Sequence, residues 1–143
     1  MENFKGKQVI NGTHGEMWVN SKPFAEVLSL KAQITLDKTE VKRVKHLEKD
    51  YKVMSMTCKG SVKFHKVDSY FLKAMAEEIK QGKQPVFTIE SKLNDPDSNG
   101  EERIVIRDAT FDTLNLIDWE AGKVGEDSYN FTFSEWDIME TID

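Results

Sequence analysis

Thirteen residues alternate from Val53 to His65. Met54, Met56, Cys58, Val62 and Phe64 fall on one side with Gly60 in phase, and Ser55, Thr57, Lys59, Ser61, Lys63 and His65 fall on the other. A second run spans Phe24 to Asp37, with Phe24, Leu28, Leu30, Ala32, Ile34 and Leu36 on one side. A period of two predicts β-strand, and a single apolar row predicts one buried face. Both runs are long for strands, which average about five to six residues. Between them lies the polar projection Lys38–Lys52, so the pair reads as two long strands carrying an arm with more reach than a compact domain needs.

The rest of the chain predicts shorter elements. Residues 1–14 form a polar arm with Phe4, Val9 and Ile10 as its apolar exceptions. A short strand at 17–20 is followed by turn chemistry at Asn20-Ser21-Lys22-Pro23. Phe71, Leu72, Met75 and Ile79 recur at helical spacing, which predicts a helix over 68–81. Asp68 or Ser69 serves as its N-cap, Gly82 as its C-terminal cap, and Pro85 blocks resumption. Strands follow at 86–93 and 103–107 around a turn-rich loop, 94–100. The apolar run 109–119 changes phase near Asp108, predicting a bend, a bulge or a new strand. A strong last strand, 128–133, precedes an acidic tail, 134–143, that carries Trp136, Ile138 and Ile142. Roughly seven strands and one helix joined by short loops predict a single mainly-β domain over 1–143. Its expected form is an antiparallel β-sandwich or partly open barrel with a long β-hairpin and one flanking α-helix.

Charge sharpens the picture of the projection. The 143-residue chain is 31% charged with a net charge of −5. The segment 38–52 nevertheless holds six basic side chains against three acidic ones, a balance of +3, leaving −8 for the remainder. Overall acidity disfavours a protein coated in nucleic acid. A nucleic-acid-binding β-module using Lys42, Arg43, Lys45 and Lys49 on phosphates, with Tyr51 stacking, is the alternative reading of this basic hairpin. Val41, Val44, Leu47 and Tyr51 give the projection apolar content that water would waste, which favours docking onto an acidic surface such as that of an identical copy.

Chemistry is sparse. The one cysteine, Cys58, excludes an intrachain disulfide framework and reads as a small buried hydrophobe. His14, His46 and His65 are scattered, and no nucleophile elbow, phosphate loop or zinc helix occurs. Asp95-Pro96-Asp97-Ser98-Asn99-Gly100 matches the start of a calcium-binding loop, but the twelfth position is Ile106, so a hairpin loop is expected. No catalytic residue, metal or cofactor is assigned. No secretory signal or run of about 20 apolar residues is visible, which implies folding in a reducing cytoplasm.

An ordered series of segments is similar to one known family. It comprises Asn11-Gly12, Gly15–Asn20, Lys38–Val41, Gly60–Ser69, Pro85–Thr88, Glu101–Ile104, Asp108–Asp112 and Phe131–Asp137. With the long hairpin, its charged tip and the late Phe-Thr-Phe strand, this series resembles the tail tube proteins of contractile phages. The resemblance is closest to PBSX-type defective prophages and myophages of Gram-positive bacteria, and it extends to contractile bacteriocin tubes. It implies a non-enzymatic structural subunit that forms hexameric rings stacked into a tube. The implied partners are copies of itself, a tail sheath, baseplate and tail terminator proteins, with DNA only as transiting cargo and no membrane anchoring. Assembly would occur in the host bacterial cytoplasm, ahead of incorporation in a virion tail or released particle. Lys38, Val41, Lys42, Arg43, Val44, Lys45, Leu47, Lys49 and Tyr51 of the projection would contact the adjacent ring, with Phe4, Trp136 and Ile138 adding terminal contacts. The polar set Lys31, Gln33, Thr35, Ser55, Thr57, Lys59, Ser61 and Lys63 is the candidate lumen lining, the alternative being an outer face, since its lysines suit a DNA passage only where acidic neighbours mask them.

Overall fold

The computed structural model describes residues 5–142. The strands are β1 (Gly15–Val19), β2 (Lys22–Pro23), β3 (Val27–Val41), β4 (Asp50–His65), β5 (Phe87–Leu93), β6 (Glu102–Phe111), β7 (Glu126–Thr132) and β8 (Glu135–Glu140). A single α-helix, α1, spans Tyr70–Lys80, and two short 3-10 turns occupy Gly6–Gln8 and Gly12–His14. All pairings are antiparallel, in the order β2-β1-β5-β6-β7-β4-β3, with β8 also on β6. The fold is therefore mainly β with one helix.

The phase change near Asp108 is a bend shared by two strands. Arg103–Arg107 of β6 pair with β8, whereas Thr110 and Phe111 pair with β7. Asp108 sits between them at φ +55, a left-handed conformation that an aspartate tolerates better than most residues. Its Oδ2 accepts a 3.4 Å bond from the Ser134 hydroxyl, at the corner where β7 gives way to β8. By changing partner at this point, β6 joins the β1-β5-β6-β8 pairings to the β7-β4-β3 pairings. The acidic tail is thus largely β8, a strand docked on β6, because the alternating side chains of 135–140 find an open edge beside Arg103–Arg107.

The core fills the angle between the layers under α1. Phe71 of the helix meets Phe24, Phe64, Phe87, Phe111 and Tyr129 at ring-centroid distances of 5.0–5.9 Å. Met17, Val19, Val62, Met75, Ile89, Ile106, Ala109, Phe131 and Phe133 complete the buried set. The helix starts at Tyr70, inside the predicted 68–81, with Ser69 at the cap position as one of the two expected caps; Asp68 Oδ1 accepts the Tyr70 N–H at 3.1 Å, and the Ser69 side chain makes no capping bond. Gly82 at φ +74 closes the helix, with Lys83 N–H donating to Glu78 O.

The loop resembling a calcium site is the β5–β6 hairpin turn. Asp95 is buried; its Oδ1 accepts Asp97 N–H and its Oδ2 accepts Asn11 N–H, each at 2.9 Å. Those two backbone donors, Asp97 first, hold its carboxyl below the usual aspartate pKa. The aspartate is a clasp that ties the N-terminal arm to the hairpin. Among the described residues no group of three His, Cys, Asp or Glu side chains is placed to hold a metal ion.

Candidate assembly interface

The long hairpin is both longer and barer than the alternation predicts. Pairing continues to Val41↔Asp50, so strands take up both flanks of the charged segment and residues 42–49 form the tip. Two register shifts interrupt the alternation: Leu28 is the extra residue between Val27↔Phe64 and Ser29↔Lys63, and Met54 is extra between Asp37↔Ser55 and Lys38↔Val53. Leu28 is consequently exposed instead of continuing the apolar row.

The row itself is buried only near the base. β4 pairs with β7 solely from Lys59 to His65, which carries Val62 and Phe64 into the core. Beyond that point the hairpin overhangs the domain. Leu36 and Met56 face each other across the strands at 48% and 57% exposure, and Met54 is 64% exposed. The expectation of one buried face is corrected here: among the described residues no element covers the distal half. β3 is also a terminal strand of the sheet order, so its 15 residues offer one unpaired backbone edge.

The opposite face is polar and continuous. Lys31↔Ser61, Gln33↔Lys59 and Thr35↔Thr57 are direct cross-strand pairs, Asp37↔Ser55 follows, and Lys63 faces Ser128 of β7. The eight polar residues picked out by alternation therefore share one surface. Asp37 Oδ2 accepts the Ser55 and Thr57 hydroxyls at 3.0 and 3.3 Å, and Lys63 Nζ lies 3.1 Å from Glu126. Glu126 thus offsets the charge of Lys63, an arrangement that sequence spacing could not reveal because Glu126 comes from a distant strand.

At the tip, Val44 and Leu47 are almost fully exposed and Lys45 adopts φ +64. Arg43 lies 3.6 Å from the Asp50 carboxylate and contacts His46, which sits near Glu48. Lys38 and Val41 belong to β3, and Tyr51 belongs to β4. Trp136 and Ile138 lie on β8 opposite Ile106 and Ile104, both still exposed, and Trp136 shares an open groove with Met56, Cys58 and Phe133. Phe4 lies outside the described residues. Arg107 pairs with Asp137 and Arg103 with Glu90, locking β8 and β5 to β6. The Glu90 hydrogen bond raises the Arg103 pKa, and a hydrogen bond to Glu101 raises that of the Glu140 carboxyl while lowering that of Glu101.

One apolar surface escapes the strand-based reading. Leu116, Ile117, Trp119 and Val124, on the segment between β6 and β7, are 66–83% exposed. The sequence run 109–119 looked like part of a bend or strand, but only Ala109, Phe111 and Leu114 of its apolar residues join the core. Its signal was the density of large apolar residues beside Asp118, Glu120 and the turn glycines.

Comparison with known proteins agrees with this geometry. A family model described as phage tail tube protein matches residues 2–140. The uncharacterized protein YqbM and the phage-like element PBSX protein XkdM, both of Bacillus subtilis (strain 168), are each 26% identical over 140 residues, covering 96% of this chain and 95% of theirs. The tube of an extracellular contractile injection system, the PVC sheath-tube complex in its extended state, shares the fold at a TM-score of 0.72 and 9% identity, over 97% of this chain and 100% of that one. A further Bacillus subtilis structure is 25% identical with a TM-score of 0.53, over 90% and 94% of the two chains. The chain belongs to the phage tail tube protein family.

Proposed function

We propose that this chain is the repeating structural subunit of the inner tube of a contractile tail or bacteriocin-like particle, built from hexameric rings stacked around a lumen. The observation that carries this reading is the overhanging hairpin, with its uncovered apolar face and 15-residue free edge. A long exposed edge invites pairing with another chain, and closure into a ring removes it by joining neighbouring sheets into one barrel. The polar face of Lys31, Gln33, Thr35, Ser55, Thr57, Lys59, Ser61 and Lys63 then lines the lumen. Glu126 pairs with Lys63, which lowers the positive charge of a passage for polyanionic cargo that must not bind tightly. The tip residues reach the adjacent ring, and β8 with Trp136 and Ile138 adds contacts between subunits.

Sheath, baseplate and terminator partners are supported by the similar proteins. These include the PVC sheath-tube complex and the anti-feeding prophage, whose baseplate is sixfold symmetrised and whose tube ends in a cap. Assembly takes place in the host cytoplasm, followed by incorporation into the particle tail. Size-exclusion chromatography and negative-stain microscopy of the purified full chain test the reading. Rings or tubes are expected, with loss of stacking when residues 42–49 are replaced by Asn-Gly. A monomer that persists at high concentration, alone and with its sheath and baseplate, would overturn it.

A further inference from the structure

The tip and the exposed 112–125 segment lie at opposite ends of the same sheet. His65, at the base of the hairpin, pairs with Glu126, and Gly125 O accepts Lys66 N–H at 2.9 Å. The segment leaves β6 after Phe111↔Phe131, with Asp112 N–H donating to Asn130 O, and returns at the start of β7. The tip begins 16 residues of β4 away. At ~3.3 Å per residue that separation is about 50 Å, so the two cannot meet within one copy.

Their chemistry is complementary. Residues 42–49 carry Lys42, Arg43, Lys45 and Lys49 against Glu48, a balance of +3. Residues 112–125 carry Asp112, Asp118 and Glu120 against Lys123, a balance of −2. Lys123 is already paired with Glu120 at 2.9 Å, which leaves Asp112 and Asp118 as the uncompensated charges. Each end also presents large apolar side chains to water: Val44 and Leu47 at the tip, Leu116, Ile117, Trp119 and Val124 at the base. Apolar side chains ringed by charges of opposite sign on two surfaces are the makings of an interface with an apolar centre and a polar rim. Surfaces at opposite ends of one subunit make a head-to-tail contact, which propagates into a filament instead of closing as a dimer.

We propose that the tip 42–49 of one copy docks on the 112–125 segment of a copy in the next ring. Val44 and Leu47 insert among Leu116, Ile117 and Trp119, while the tip lysines face Asp112 and Asp118. The proposal rests on the tube reading and adds the identity of the acceptor.

The test is charge reversal in the full chain, read by negative stain. A tip set (Lys42→Glu, Lys45→Glu, Lys49→Glu) and a loop set (Asp112→Lys, Asp118→Lys, Glu120→Lys) are each expected to leave rings but reduce tubes at least tenfold. Combining both sets in one chain should restore tubes. Wild-type tube yield from the loop set, or no restoration in the combined chain, overturns the proposed acceptor while leaving the tube reading intact. Absence of rings and tubes from the unaltered protein overturns the tube reading itself. Far-UV circular dichroism checks folding, and should the loop set unfold, Trp119→Ser carries the same test: rings without tubes support the acceptor, and normal tubes refute it.

Discussion

Gly60→Ala should destabilise the fold sharply even though alanine is the better strand residue. Gly60 lies opposite Ala32 in the hairpin and opposite Phe131 of β7. A Cβ there would sit 2.3 Å from Phe131 Cζ and 2.5 Å from the Lys31 carbonyl oxygen. Ordinary carbon contacts lie near ~3.5–4.0 Å, so both neighbours would have to retreat by more than ~1 Å. Neither retreat is easy. Phe131 is 1% exposed and its ring is flanked by Phe111 and Phe133 at 5.8 and 6.2 Å, while Lys31 O is backbone of the paired strand. Overpacking costs about 1–3 kcal/mol, and a rigid ring combined with a backbone atom places this site near the top of that range. With a urea m-value of ~2 kcal/mol/M, a loss of ~3 kcal/mol lowers the denaturation midpoint by about 1.5 M. The comparison needs one protein concentration throughout, because assembly adds concentration-dependent stability. Gly6→Ala is the control, since nothing lies within 4 Å of its added Cβ, and its midpoint should stay put. A Gly60→Ala midpoint within 0.3 M (about 0.6 kcal/mol) of the parent would refute the packing argument.

Three further outcomes follow from the geometry. Leu36→Lys with Met56→Lys alters paired, exposed residues of the overhang, so circular dichroism should be unchanged while ring formation is lost; intact rings would show that this face stays wet in the assembly. Burial raises the Tyr129 pKa, with the nearby Asp127 charge adding to it and the Asn115 N–H bond opposing it. The unfolded state therefore releases its proton first, so stability present below the ordinary tyrosine value of ~10 should fall as pH rises through the folded value; an absorbance titration in which all tyrosines ionise together near the ordinary value would contradict this. Asp95→Ala removes the acceptor for Asn11 and Asp97 N–H, so both amides should lose hydrogen-exchange protection, and millimolar calcium should leave the parent's thermal midpoint unmoved. A calcium-induced rise would revive the loop as a cation site.

What the chain revealed before folding was mostly local. The period of two placed both long strands, the helical spacing placed α1 to within two residues, and the phase break located the bend at Asp108. Each of these depends on contacts close in sequence. The failures were non-local. Nothing near Glu135–Glu140 indicates that Arg103–Arg107 leaves an edge open for it, so β8 read as a tail. The bulges at Leu28 and Met54 are invisible to alternation, because an extra residue in one strand is defined only by its partner. The place of Gly60 in the apolar row was plain, but the reason for a glycine, Phe131 pressing on the backbone, required β7 to be in position. Asp95 looked like a ligand because its donors, Asp97 and the distant Asn11, are backbone amides that no motif specifies.

The most informative failure concerns burial. An alternating strand implies that one face leaves water, and that inference carries no statement about which molecule covers it. Among the described residues no element covers the distal hairpin, the tip or the 112–125 segment. Exposed apolar side chains occur singly on most proteins and need no explanation. Here, besides those of β8 and a few scattered ones, they gather on three surfaces with distinct geometry: a strand face, one pole and the opposite pole. A lone monomer gains nothing from arranging them so. A subunit that closes laterally through its hairpin and stacks axially through its poles needs one apolar surface for each direction of growth, with charges of opposite sign on the two poles fixing the sense of stacking. On the proposed tube reading, the surfaces that make the isolated subunit look unfinished are the ones that specify how it assembles.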